Sequence, residues 1–400
     1  MSHLKLNKEK KMKITKLSLV AALAINTAFA GGDIAPVEPV VEAPVVEAAA
    51  CNSQTTVSGK AQAYLYTNDS VDLFDQDSSQ LGTAITLDVK HNFTDNISAN
   101  FTAVGFANSM SENNFGYFEQ KDVGAFFNVA NITATFGGTT LVLGRQLIDS
   151  PMFGSFDWLL APSSFEAYTV VNSSVSNLTL VGTYVRQVRQ VNSGDNFIDL
   201  TDIDDGNNYA LGAVYAADAL SASVWYYNID AGAAYVQDKY TQVYVDGGYD
   251  FGSVSVAAQY AKTDYNTGLD SDAYGAKVET KFGNFGLTAA VVNVTDSAAG
   301  YVERDGLYTS SWNYFAATAA EANTDTLSWK VGASTDVAGL NAEVSYAAYG
   351  DEGSELDVIL GYEVTNCIGL AAIYSSTDYD VNVNTVDTED ALELIATYKF

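Results

Sequence analysis

Histidine and cysteine are almost absent from this chain of 400 residues, and their scarcity limits its chemistry. His3 lies in the N-terminal segment, which leaves His91 as the one histidine in the remainder, and Cys51 and Cys367 are far apart. Hydrolases that use a histidine base need that residue beside a nucleophile, and zinc sites need clustered ligands. The sequence therefore predicts a protein that is not an enzyme and has no cofactor or metal site.

The first 30 residues have the pattern of a secretory signal peptide. Six lysines precede a short apolar run at 17–25, and Ala28-Phe29-Ala30 follows that run. A membrane-spanning helix needs about 20 apolar residues, so a cleaved signal peptide at 1–30 is favoured over a membrane anchor.

Basic residues are scarce in the rest of the chain. Of 19 Lys and Arg and 49 Asp and Glu residues, six and one respectively precede Gly31, which leaves 13 and 48 and a net charge of −35. Nucleic-acid binding is excluded, because phosphate needs a basic surface. The 25 tyrosines and 19 phenylalanines are not typical of a disordered chain, and no later apolar run is long enough for a spanning helix.

Proline is rare, and three of the five prolines lie in the segment 31–54. This acidic, low-complexity segment is interpreted as a stiff, solvated periplasmic leader. A recognition peptide for a periplasmic partner is the alternative. Cys51 lies too far beyond the apolar run at 17–25 to be a lipidation site.

From residue 55 onward, apolar and polar residues alternate with a period of two. Ile85, Leu87 and Val89, for example, share one face and are separated by polar residues. About eighteen such segments follow one another, joined alternately by short turns and long polar loops. A soluble sandwich shows the alternation but does not sort its loops in this way. The sequence thus predicts an all-β fold over 55–400: a transmembrane antiparallel β-barrel of about 18 strands, with short periplasmic turns and long extracellular loops.

The last strand ends on an aromatic residue with no polar tail. Leu392, Leu394, Tyr398 and Phe400 share one face of this strand. The pattern is typical of the assembly signal that the outer-membrane barrel-assembly machinery reads, so we expect that machinery to be a partner.

Several short motifs occur in order along the chain: TLVLGRQ at 140–146, DSP at 149–151, SFEA at 164–167, WYYN at 225–228 and YGAK at 274–277. They resemble Opr/OprD-type porins, in particular the major outer-membrane porins of campylobacter-like bacteria. The resemblance covers most of the mature chain and implies an 18-stranded barrel, often trimeric, whose third loop folds inward. Channels of this type for basic amino acids have a ladder of basic residues, for which the 13 basic residues here are too few.

The third long loop, 149–163, is the predicted constriction. It contains Phe153, Phe156 and Trp158, which indicates that it packs either into the barrel mouth or against another subunit. The charged residues predicted to line the pore or this constriction are Arg145, Asp149, Asp157, Arg186, Lys277, Glu279, Lys281, Lys330 and Glu343. Alternation places Arg186 and Arg189 on opposite faces, so at most one of them faces the pore unless a bulge intervenes.

Together these features predict an outer-membrane porin for small hydrophilic solutes and ions, with a modest cation preference from its acidic loops. The alternatives are a non-conducting surface barrel, such as an adhesin, and a soluble secreted β-protein. Expected partners are outer-membrane lipid and lipopolysaccharide and further copies of the chain as a trimer. Weak Ca²⁺ binding by the acidic loop 195–205 and a disulfide between Cys51 and Cys367, on the oxidising periplasmic side, are further hypotheses.

Overall fold

The computed structural model describes residues 54–109, 118–200, 207–230, 238–319, 324–379 and 388–400. The predicted signal peptide, Cys51 and nearly all of the leader lie outside these ranges, so those predictions are not tested by the fold.

Antiparallel strands form almost all of the regular structure in the described ranges. The strands are β1 (Gln54–Asn68), β2 (Ser79–Thr94), β3 (Ile97–Ser109), β4 (Val123–Phe136), β5 (Thr139–Gln146), β6 (Ser164–Val175), β7 (Leu178–Arg189), β8 (Ile198–Asp199), β9 (Asn208–Ala217), β10 (Leu220–Ile229), β11 (Tyr240–Asp250), β12 (Val254–Tyr265), β13 (Ser271–Phe282), β14 (Phe285–Thr295), β15 (Thr326–Val337), β16 (Leu340–Tyr349), β17 (Gly353–Thr365), β18 (Ile368–Tyr379) and β19 (Thr388–Lys399). Two 3-10 helices occupy Phe118–Gln120 and Ala316–Thr318, and no helix in the described ranges is long and apolar enough to cross a membrane.

The wall is a closed barrel of 18 strands, because every strand except the two-residue β8 pairs with both of its neighbours in the ring. Closure is made by β1 and β19, whose register runs from Lys60 opposite Lys399 to Asn68 opposite Ala391. The predicted antiparallel barrel of about 18 strands is therefore confirmed. β8, which lies beside β7, was not predicted.

The outer surface carries the apolar half of the alternation. Exposed aromatic residues form one ring near the short turns, namely Phe93, Phe136, Tyr215, Tyr249, Phe251, Phe282, Phe285, Tyr362, Tyr398 and Phe400. A second ring nearer the long loops contains Tyr168, Tyr184, Tyr260, Tyr274, Trp329 and Tyr346. Tyr274 and Phe282 on β13 are eight residues apart, or about 26 Å along the strand and roughly 20 Å along the barrel axis. Such a band between aromatic rings matches the hydrocarbon region of an outer membrane.

The connections differ between the two ends of the barrel. At one end the turns have two or three residues, and at the other the loops have between three and thirty. Four long loops are used below: L2 (110–122), L3 (147–163), L4 (190–207) and L7 (296–325). L3 and L7 run into the lumen, where Met152, Phe153, Val302 and Leu307 join one buried apolar cluster with the wall. The core of this protein therefore lies inside the barrel.

Candidate pore constriction

L3 and L7 are joined to each other inside the lumen. Gly154 N donates to Val302 O at 3.2 Å, and Val302 N donates to Met152 O at 3.0 Å, as between two parallel strands. The Phe153 ring packs edge-on against Phe165 of β6, with 5.1 Å between centroids. The two loops therefore form one body that is attached to the wall.

A space of about 100 Å³ separates this body from strands β11, β13, β14, β15 and β16. Two tyrosines, Tyr244 and Tyr308, contribute to its lining. Its charged lining residues are Asp149, Asp246, Lys277, Glu279, Arg304, Asp305, Lys330 and Glu343. Five of the predicted pore residues meet here: Asp149, Lys277, Glu279, Lys330 and Glu343. Alternation brings the wall residues inward, and the inward course of L3 adds Asp149.

All three cations of the lining have partners. Arg304 forms an ion pair with Asp149, and Lys277 Nζ lies 3.3 Å from Glu279 Oε1. Lys330 Nζ donates to a backbone oxygen of L7, that of Ser310, at 2.8 Å.

The lining contains more carboxylates than cations. Neither Asp246 nor Glu343 has a Lys, Arg or His nitrogen of another described residue within salt-bridge distance, although Asp246 accepts a hydrogen bond from Ser223 Oγ. Five carboxylates and three cations line the space, so its charge is negative when all are ionised.

Asp305 is a buried carboxylate that organises L7 behind this lining. It accepts hydrogen bonds from Leu307 N at 2.9 Å, Ala317 N at 2.9 Å and Ser310 Oγ at 2.6 Å. Burial raises the pKa of Asp305 above its usual value, and these three donors oppose that rise. Neither Arg304 nor Asp305 was predicted from the sequence, because their position depends on the path of L7.

Arg145 and Arg186 do not face the constriction, so their predicted positions are wrong. Arg145 follows the outward alternation of Leu143, and its guanidinium carbon lies 3.9 Å from the centroid of the Phe197 ring. Arg186 lies at a register shift between β6 and β7, where its half-exposed side chain is 3.7 Å from Glu166. Arg186 shares the outward alternation of Leu180 and Tyr184 on β7, so it lies on the outer surface.

Arg189 is the inward arginine of β7 and is fully buried. It forms an ion pair with Glu119 of L2 and donates to backbone oxygens of Pro162 in L3, at 3.1 Å, and of Gly194 in L4. Its guanidinium carbon lies 4.0 Å from the centroid of the Phe126 ring. It therefore connects three loops at the mouth. In the sequence, this inward position is indicated only by the alternation, which places Arg189 and Arg186 on opposite faces of β7.

Two other predicted pore residues lie away from the constriction. Lys281 is exposed near the short turn between β13 and β14. Asp157 of L3 is close enough to Tyr64 of β1 to act on it electrostatically, on another part of the wall.

The residues of the predicted assembly signal lie at the closing strand. Tyr398 and Leu394 are exposed on the outer face, and Leu392 shares their parity. Phe400 completes the seam, because its backbone nitrogen donates to Gly59 O at 3.0 Å and its oxygen accepts from Gly59 N at 2.9 Å. Cys367 is exposed at a short turn, and its predicted partner Cys51 lies outside the described residues.

The predicted calcium loop is described only in part, because 201–206 lie outside the described ranges. Asp195 of this loop pairs with Lys121 at 2.7 Å. In the part of the chain that the structure covers, no three His, Cys, Asp or Glu residues are grouped so that they could hold a metal ion.

No protein-family model matches the chain, and no curated protein matches it. Solved structures are similar in fold. The outer membrane protein OpdK of Pseudomonas aeruginosa is 16% identical, with a TM-score of 0.71 over 87% of this chain and 98% of OpdK, and it has also been solved with vanillate. OccD3 (OpdP) of the same organism is 18% identical, with a TM-score of 0.69 over 86% of this chain and 91% of its own. OccAB2 of Acinetobacter baumannii is 16% identical, with a TM-score of 0.70 over 86% and 98%. At these identities the similarity establishes the fold.

Proposed function

We propose that this protein is an outer-membrane channel of the OprD type, through which small hydrophilic solutes and ions diffuse passively with a modest cation preference. The observation that carries the proposal is the charged space between the L3–L7 body and the wall, inside a barrel with an apolar outer band. A lumen of this kind is what a wide barrel uses to conduct water-soluble molecules. The fold shared with OpdK supports the same function.

The cation preference follows from the charge of the lining. Five carboxylates face three cations there, and the chain after Gly31 has an excess of acidic residues. A low-dielectric wall focuses this field and concentrates cations in the lumen. Because salt screens the field over about 8–10 Å at physiological ionic strength, the preference should be largest in dilute salt.

In this proposal the short turns face the periplasm and the long loops face the outside of a Gram-negative cell. A cleaved signal peptide, insertion by the barrel-assembly machinery, contact with lipopolysaccharide and assembly as a trimer complete the proposed setting. The outer aromatic rings described above support insertion in a bilayer.

Planar-bilayer recording of the purified protein tests the proposal. We expect discrete conductance steps and, in a KCl gradient, a zero-current potential whose sign marks potassium as the more permeant ion. Glu343→Gln should reduce this potential, because Glu343 lines the charged space. Glu363→Gln, near the short turn that follows β17, is the matched control and should have a smaller effect. A potential of the opposite sign would contradict the cation preference.

A non-conducting surface barrel is the second candidate, and the apolar packing of L3 and L7 inside the lumen favours it. Protein that shows the heat-modifiable gel migration of a closed barrel but gives no conductance steps would support this candidate over the channel.

A further inference from the structure

Glu393 is the point at which both inward loops contact β19. It lies on the inner face of β19 and is 2% exposed. Its Oε1 accepts a hydrogen bond from Trp158 Nε1 of L3 at 3.0 Å and another from Trp312 Nε1 of L7 at 2.9 Å. Its Oε2 accepts the hydroxyl hydrogen of Tyr64 on β1. One carboxylate therefore links two loops and two wall strands.

The same two loops carry residues of the charged space. Asp149 belongs to L3, and Arg304 and Tyr308 belong to L7. Since L3 and L7 are also joined near Phe153 and Val302, a shift at their Glu393 end is transmitted to the constriction through the shared body.

Both loops have further contacts with the wall beside Glu393. The backbone nitrogen of Asn313 donates to Glu355 at 2.7 Å, and that of Trp312 donates to Asp357 at 3.3 Å. In L3, Leu159 and Leu160 belong to a buried apolar cluster with Tyr64 of β1, and Ile395 of β19 packs against that cluster. Loss of Glu393 should therefore loosen the tips of both loops.

We infer that Glu393 is a positioning residue that fixes L3 and L7 relative to each other and so sets the dimensions of the constriction. This inference rests on the proposed channel function. The donors to Glu393 are neutral indole and phenol groups, so its role depends on an oxygen acceptor. A glutamine retains one such oxygen, whereas an alanine has none.

The magnitude follows from the two indole bonds. A hydrogen bond to a charged acceptor contributes enough that its loss lowers the ratio of docked to undocked loop by roughly 10- to 150-fold. Glu393→Ala should therefore give a channel with altered mean conductance and many more brief current transitions. Glu393→Gln keeps an oxygen acceptor, although its neutral oxygen bonds the indoles more weakly than a carboxylate, so it should recover most of the wild-type conductance and noise.

The experiment compares wild type, Glu393→Ala, Glu393→Gln and the double variant Trp158→Phe/Trp312→Phe by single-channel recording. The double variant leaves β19 unchanged, and it tests the same bonds if Glu393→Ala does not assemble. Glu363→Ala removes a carboxylate near a short turn and serves as the control. Acrylamide quenching of tryptophan fluorescence provides a readout that does not need conductance. The chain has four tryptophans, and release of the loops should increase the quenching of Trp158 and Trp312.

The outcomes separate this inference from the proposed function. If the wild-type barrel does not conduct, the proposed function fails, and quenching alone still decides the role of Glu393. Higher quenching in Glu393→Ala, with recovery in Glu393→Gln, supports the inference. Wild-type noise in both Glu393→Ala and the double variant, together with wild-type quenching in Glu393→Ala, would overturn it. Equal defects in the alanine and glutamine variants would also overturn it, because they would assign the effect to charge.

Discussion

Replacing Arg189 by methionine should loosen three loops at the mouth while leaving the barrel wall closed. Arg189 and its partner Glu119 are both fully buried, and Glu119 also accepts a hydrogen bond from Gly194 N at 2.7 Å. Methionine fills much of the arginine volume but leaves the Glu119 carboxylate buried without its cation. Breaking a buried ion pair in this way costs about 3–5 kcal/mol. Where amides exchange through opening of these loops, exchange should accelerate about 150- to 5000-fold.

The effect should depend on pH. Burial raises the pKa of Glu119 above its usual value, and the Arg189 guanidinium opposes that rise. Without Arg189 the pKa of folded Glu119 moves further above that of the unfolded chain. A carboxyl whose pKa is higher in the folded than in the unfolded chain does not destabilise the folded state below the unfolded pKa of about 4.3. The loss of folding free energy appears as the pH rises above that value. The cost of Arg189→Met should therefore be largest near pH 7 and should shrink in acid.

Hydrogen exchange read by mass spectrometry measures this acceleration at the backbone amides of Glu119 and Gly194, after correction for intrinsic exchange rates. Lys121→Met is the matched control, because Lys121 pairs with Asp195 across the same two loops but with exposed side chains, at 54% and 66%. A surface pair contributes roughly 1 kcal/mol or less, so this control should change exchange by less than about 5-fold. Equal acceleration in the two variants at pH 7 would refute the argument.

Three further predictions concern the wall and the termini. Gly212→Ala should destabilise the barrel by about 1–3 kcal/mol, because a Cβ there would lie 2.5 Å from the buried Trp225 ring. In Gly105→Ala the added Cβ meets nothing within 4 Å, so this control should change the stability by no more than about 0.5 kcal/mol. The denaturant midpoint of the heat-modifiable gel shift compares the two variants, and equal midpoints would contradict the packing argument. Deleting Phe400 should lower the outer-membrane yield and increase periplasmic degradation, whereas normal insertion on fractionation would count against an assembly signal. Alkylation under non-reducing conditions should label neither Cys51 nor Cys367 if they are bonded, and two labelled thiols would exclude the disulfide.

Alternation predicts the wall well because it reports directly on which side of a strand each residue lies. Lys277, Lys330 and Glu343 occupy regular parts of β13, β15 and β16, and their inward positions follow from the sequence. The prediction for Arg186 fails because it rested on the charge of this residue near the constriction, whereas Arg186 has the parity of the outward Leu180 and Tyr184.

The inner contacts are less predictable because they join distant parts of the chain. Arg304 reaches Asp149 across 155 positions, and Trp158 reaches Glu393 across 235. The apolar content of L3 predicts that this loop packs somewhere, but it does not distinguish the lumen from a subunit interface. L7 carries a comparable signal in Tyr301, Trp312 and Phe315, which likewise indicates packing but not an inward path.

The seam between β1 and β19 also affects the order in which the barrel is built. Lys60 and Lys399 are paired there although they belong to the first and last strands of the chain. Bringing these strands together therefore has a large entropic cost until the intervening strands are in place. Once the seam closes, a ring of continuous backbone hydrogen bonds surrounds L3 and L7. Bulky residues such as Trp158 and Trp312 would then have to enter through the mouth. Loop docking and ring closure are thus linked steps of assembly. A substitution that prevents either loop from docking should therefore also reduce the yield of closed barrels.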